Sequence, residues 1–177
     1  MPKLHEKKLV MTFIIAIDPG NVTGVAYGLL GSEPKYLTWD FTPKPKTKKR
    51  DADPKHLRYG KLWKEIKGLR VHWLEHLGEL KSIHIICEDA KGFMKGKSAV
   101  EVSQKYRGVV EGFCAYHNIP YTAIQPADLK RFATGKGVAE KQEMIAVARA
   151  RYGYNGNEDN EADALIMWHF LSEQLKR

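Results

Sequence analysis

The sequence predicts an α/β fold: one mixed five-stranded sheet, with three antiparallel strands and then parallel ones, flanked by helices. Two observations carry that prediction. The first forty residues hold three strand-like runs in succession, which suits antiparallel pairing. After residue 57 strand-like and helix-like segments alternate, the order that parallel crossover units produce.

The elements follow in order. Residues 11–30, MTFIIAIDPGNVTGVAYGLL, read as two strands around a tight turn, because Asp-Pro-Gly-Asn supplies the turn chemistry. Residues 35–41, KYLTWDF, alternate and read as a third strand. The Pro- and Lys-rich TPKPKTKKRDADPK is a loop, so 42–56 is expected to be a mobile basic segment, and 1–10 a flexible terminus. From Leu57 to Leu80 the residues Leu62, Trp63, Ile66, Leu69, Trp73, Leu77 and Leu80 recur at helical spacing. IHIICED, 83–89, is a short buried strand, and Ala99, Val102, Tyr106, Val109, Val110 and Phe113 mark a long amphipathic helix ending near His117 and Asn118. PYTAIQ is another strand. PADLKRFA opens a short helix with Pro126 in its first turn, and VAEKQEMIAVARARYG is a helix closed by Gly153. A last helix contains ADALIMWHF, apolar nearly all round and so expected to be buried. No internal repeat and no second domain is visible.

A chain of 177 residues suits one domain with a full-sized core. No apolar stretch approaches the roughly 20 residues of a membrane span. The amino-terminal MPKLHEKKLVMTF lacks an apolar signal core, which predicts a cytoplasmic, unprocessed protein with no membrane partner. The two cysteines, Cys87 and Cys114, lack the short spacing of a zinc site and read as small core residues. A net charge of +8 suggests a polyanionic partner, though only beside a chemical site does that become informative.

Acids at the ends of apolar elements supply such a site. Asp18 closes the first strand, Glu88 and Asp89 close IHIICED, and Asp163 lies in the last helix. Asp159, four residues before Asp163, shares its helix face, and Asn160 faces the same way. A carboxylate buried at the end of an apolar strand is expensive unless something offsets its charge. Hard divalent cations want such oxygen ligands, and two ions about 4 Å apart can drive phosphodiester cleavage. Each acid alone has a plainer reading, as a turn former, a strand end or a partner of a helix dipole. Three of them in a basic chain shift the balance toward metal.

IIAIDPGNVTGVAY, IICED, the segment KSAVEVSQKYRGVVEGFCAYHNIPYTAIQPADLKRFATGKGVAEKQEMIAVA and NEADALIMW together resemble RuvC-type Holliday junction resolvases, especially the compact bacteriophage kind. The resemblance covers most of residues 13–170 and is weak over 33–80. It implies a ribonuclease H-like fold and a homodimer that nicks two opposed strands of a four-way DNA junction, using Mg²⁺ or Mn²⁺, with two ions per active site. It matches Asp18, Glu88 and Asp163 to metal-binding acids of that family. The family commonly has a further ligand three residues before the last acid. Here that position is Asn160, and Asp159 is the nearest acid, so both are candidates. Lys130 and Lys141 match lysines near the scissile phosphate. Phe93 is the candidate for an aromatic wedge, with Met94, Lys95, Lys97 and Lys136 beside it on DNA. Lys44, Lys46, Lys48, Lys49 and Arg50 form a charge run that could contact phosphates or merely aid solubility.

Rival readings are weaker. GFMKGKS, 92–98, has one residue too few between Gly92 and Gly96 for a phosphate-binding loop of the Walker type, which speaks against a nucleotide cofactor. The first strand and turn also resemble actin-like kinases, but those need a second lobe that this length does not allow. A nuclease of the same fold acting on other branched DNA or on RNA precursors, and a junction-binding protein without catalysis, stay open. His72 and His76 share a helix face without the companions of a zinc site. Trp63 and Trp73 read as core or dimer-contact residues.

Overall fold

The five strands line up in the order β3-β2-β1-β4-β5. They are β1 (Met11–Asp18), β2 (Val22–Leu29), β3 (Lys35–Asp40), β4 (Lys81–Glu88) and β5 (Tyr121–Ile124). The computed structural model describes residues 11–48, 50–77, 81–89 and 97–177, without the side chains of 76, 77, 81 and 97–99. β1, β2 and β3 pair antiparallel, whereas β4 joins β1 and β5 joins β4 in parallel. The helices are α1 (Leu57–Leu77), α2 (Lys97–His117), α3 (Pro126–Thr134), α4 (Lys141–Tyr152) and α5 (Asp159–Leu175). Element types and order match the reading of the sequence, with ends shifted by a few residues.

β1 is the central strand, and both its faces are covered. Phe13, Ile15 and Ile17 join Ile83, Ile85, Cys87 and residues of α1 and α2 in one core. Ile14 and Ala16 join Ala26, Ile86 and residues of α3, α4 and α5 in another. Alternation along a strand therefore sorts side chains between two layers of helices. Cys87 and Cys114 are free and buried, as expected of small core residues. Trp73 stacks on Phe13 with ring centroids 4.4 Å apart, so it lines the α1 side of the core.

The second layer is close-fitting at one point. A Cβ on Gly24 would lie 1.9 Å from the backbone oxygen of Asn160, so only glycine lets the first turn of α5 rest on β2 there. Asn160 fastens the same contact by donating from Nδ2 to the Val22 carbonyl at 3.0 Å. α4 ends at Gly153, whose φ of 66° is the left-handed cap that Gly supplies without strain.

The 42–56 segment has no regular element, but it is tied to itself. Lys44 N donates to Asp53 Oδ2 and Asp53 N to the Lys44 carbonyl, both at 3.0 Å, while Arg50 pairs with Asp53. Its acids thus brace a stretch whose lysines and prolines read as a mobile arm. The expected flexible terminus, 1–10, lies outside the described residues.

Candidate active site

Register and alternation place three acids on the α5 side of the sheet. Asp18 follows Ile14 and Ala16 on the face that α5 covers, and Glu88 follows Ile86 on that same face. The parallel pairing of Ile17 with Cys87 sets the ends of β1 and β4 side by side, so Asp18 and Glu88 are neighbours. Asp18 also pairs across β1–β2 with Gly24, the residue on which the first turn of α5 rests. Asp163, one turn further along α5, is thereby delivered over Asp18. Asp89, the next residue on the chain, points to the opposite layer.

The electrostatics match this geometry. Asp18 is raised well above the ordinary carboxylate range, first by burial and then by the charges of Glu88, Asp163 and Asp159. Burial pushes Glu88 up to about 7, with Asp163 adding to the rise and Lys130 opposing it. Burial likewise raises Asp163 to about 7, with Asp159 adding and Lys130 and Lys141 opposing. Lys141, on an exposed stretch of α4, forms an ion pair with Asp159 that raises its own pKa. Acids from β1, β4 and α5 and lysines from α3 and α4 thus act on one another.

This donor set fits a hard divalent cation. All the candidate ligands are oxygens, and Asp163 Oδ1 is buried without a hydrogen-bond partner, an acceptor that a cation would satisfy. Among the described residues, no three His, Cys, Asp or Glu side chains are drawn together tightly enough to ligate one ion as they stand. Asn160 donates its amide nitrogen to β2, which docks α5 on the sheet and leaves its Oδ1 outside that bond. Asp159 adds its charge beside Asp18 and Asp163.

Among the other candidates, Lys136 is exposed in the turn after α3, where its backbone N–H donates to Thr134 Oγ1. Lys48 is exposed; Lys46 pairs with Asp51 at 3.4 Å and Arg50 with Asp53. Lys97 opens α2, but its side chain is not described. Phe93, Met94, Lys95 and Lys49, and the loop that resembles a Walker motif, lie outside the described residues.

Two arrangements were not legible from the sequence. Asp89, only 4% exposed, is paired with Arg107 on α2 and accepts from Gln125 Nε2 at 3.1 Å. Its backbone N–H donates to the Ile124 carbonyl at 2.8 Å, so Glu88 stands on a firmly held strand end. Asn21, in the turn after Asp18, accepts from Arg58 Nη1 at 3.0 Å and from the Tyr106 hydroxyl at 3.3 Å. Arg58 and Arg107 are polar residues on otherwise amphipathic helices, a faint signal with nothing local to name the partner.

No protein-family profile matches the chain. The crossover junction endodeoxyribonuclease RuvC of Syntrophomonas wolfei is 27% identical over 159 residues, covering 87% of this chain and 84% of that protein. Among solved structures, Thermus thermophilus RuvC in complex with a Holliday junction substrate superposes with a TM-score of 0.62. That likeness comes at 17% identity over 93% of both chains. A further structure of Thermus thermophilus RuvC gives 0.61 at 18% identity, over 93% of this chain and 96% of that one. The fold is therefore that of RuvC, ribonuclease H-like.

Proposed function

We infer that this RuvC-type chain is a metal-dependent endonuclease that resolves four-way DNA junctions by paired nicks. One observation carries the reading: buried, mutually repelling carboxylates from β1, β4 and α5 converge at the strand ends beside two lysines. The likeness to a crossover junction endodeoxyribonuclease over most of both chains supports the choice of substrate. The net charge of +8 suits a partner dense in phosphate.

Asp18, Glu88, Asp163 and Asp159 would hold a pair of Mg²⁺ or Mn²⁺ ions, and Asn160 would steady the helix that carries two of these acids. Bound there, divalent ions supply a water of lowered pKa and Lewis-acid polarisation of the scissile phosphate. The chain's own residues do the rest. Asp18 and Glu88 orient the reacting centre from the rigid ends of adjacent strands, where backbone pairing limits their movement. Lys130 faces Glu88 and Asp163, and Lys141 faces Asp159, Asp163 and Asp18; both offset negative charge that builds on the phosphate. The lysine pair lies on the helical side, leaving the strand ends for DNA. Two nicks on opposed strands require two such sites, so the active species is a homodimer.

The test is a labelled synthetic four-way junction incubated with the chain and Mg²⁺, alongside duplex, forked and RNA substrates. Symmetric nicks confined to the junction, lost in EDTA and in Asp18→Asn, are expected. Binding of the junction without metal-dependent nicking would overturn the reading in favour of a non-catalytic binder.

A further inference from the structure

Beside the acid site, on the α1–α2 side of the sheet, the surface opens into a hollow of about 720 Å³. Asn21, Pro43, Lys55, His56, Arg58, Tyr59, Glu101, Val102 and Lys105 line it. Its position follows from the chain. Asn21 is three residues beyond Asp18, so their backbones are at most ~11 Å apart. A DNA strand advances about 3.4 Å per nucleotide, so the hollow is within about three nucleotides of a phosphate held at Asp18.

Its chemistry has two parts. Lys55, Arg58 and Lys105 bring positive charge, against the single acid Glu101. Among the described residues Lys55 makes no ion pair, while Lys105 is held by Glu101 one turn away. Tyr59, Val102 and Pro43 supply an apolar flank on which a sugar or base can rest. The floor is fixed rather than adaptable. Arg58 Nη1 and Nη2 donate to Asn21 Oδ1 and to the Tyr59 hydroxyl at 3.0 and 2.8 Å, and its Nε is buried without a partner. The guanidinium also lies over the rings of Tyr59 and Tyr106, at 4.9 and 5.8 Å from their centroids. Arg58 therefore presents positive potential into the hollow while bracing the turn that carries Asp18.

We propose that this hollow is a nucleotide-binding subsite that grips the DNA strand within three nucleotides of the cut phosphate. Lys55 and Lys105 hold its backbone, and Arg58 and Asn21 tie its floor to the Asp18 turn. The inference rests on the proposed nuclease function. It goes beyond it by naming a second grip on the α1–α2 side of the sheet. Lys105 must leave Glu101 to reach a phosphate, so Glu101 acts as a brake on binding.

The experiment measures junction binding in EDTA, where cutting is off, across a salt series, with nicking in Mg²⁺ measured in parallel. Lys55→Ala/Lys105→Ala changes two exposed side chains and should bind the four-way junction about tenfold more weakly, with a salt slope lower by about two. Glu101→Gln should tighten binding about two- to threefold by releasing Lys105. A junction with one neutral methylphosphonate within three nucleotides of the cut should weaken wild-type binding and leave the double variant unaffected. If the wild type nicks junctions while the double variant keeps wild-type affinity and salt slope, the subsite is overturned and the nuclease reading stands. A wild type that binds no branched DNA overturns both.

Discussion

Replacing Glu88 with Gln should make the metal-free protein more stable at alkaline pH, by an amount the site itself sets. Burial and the charge of Asp163 raise Glu88 from its ordinary 4.5 to about 7. A carboxylate raised on folding contributes stability that is fully present below its unfolded pKa and is lost as pH rises through its folded one. The loss for Glu88 runs from about pH 4.5 to about pH 7 and totals ~3 kcal/mol. Glu88→Gln keeps the shape and removes the charge. In EDTA at pH 8.5 the variant should melt ~6–12 °C above wild type, on a scale of ~2–4 °C per kcal/mol for a chain of this size. Near pH 4.5 the two should melt together. Half-buried His84 and His169 are depressed, and their contribution to stability is lost as pH falls below their ordinary range, the opposite trend. Both proteins share it, so it cancels in the difference. Saturating Mg²⁺ should shrink the gap at pH 8.5, because the wild type binds the ion better. Thermal melts monitored by circular dichroism across pH read all of this. A variant no more stable than wild type at pH 8.5 in EDTA would refute the argument that these acids repel one another in a buried site.

Four further outcomes are expected. Lys141→Ala removes the partner of Asp159 and positive charge beside Asp163 and Asp18; cleavage should slow ~10²-fold with little change in junction affinity, whereas equal losses would make Lys141 a docking residue. Asp159→Ala should cost cleavage with little loss of stability. Asn160→Ala should instead lower stability by ~1 kcal/mol through the lost bond to Val22, as denaturant melts would show; a neutral Asp159→Ala would remove it from the ligand set. Gly24→Ala forces a methyl against the Asn160 backbone, so it should destabilise by ~3 kcal/mol or more and slow cleavage in the fraction that stays folded; unchanged melting would contradict the close contact of α5 with β2.

What the sequence displayed and what it hid divide along physical lines. The apolar runs FIIAID and IHIICED are local, and they already put Asp18 and Glu88 at the ends of buried strands. The four-residue step from Asp159 to Asp163 is local as well, and the two do share a helix face. The docking of Asn160 was not local. It depends on Gly24, over a hundred residues earlier, whose missing side chain lets α5 settle so that the Asn160 amide meets β2. The pairs Arg107–Asp89 and Arg58–Asn21 join helices to strand ends across gaps of 18 and 37 residues, and nothing beside either arginine announces its partner. In the 42–56 loop composition pointed to a mobile arm. Asp51 and Asp53, which bind back to Lys46, Arg50 and Lys44, carried the contrary signal in plain view.

The most direct measurement is anomalous scattering from crystals of the chain grown with Mn²⁺. The account predicts manganese density in contact with Asp18, Glu88 and Asp163, with Asp159 at its edge, and its loss in Asp18→Asn crystals. Fully loaded crystals with no manganese at those three carboxylates, or with it bound only elsewhere, would contradict the account at its root.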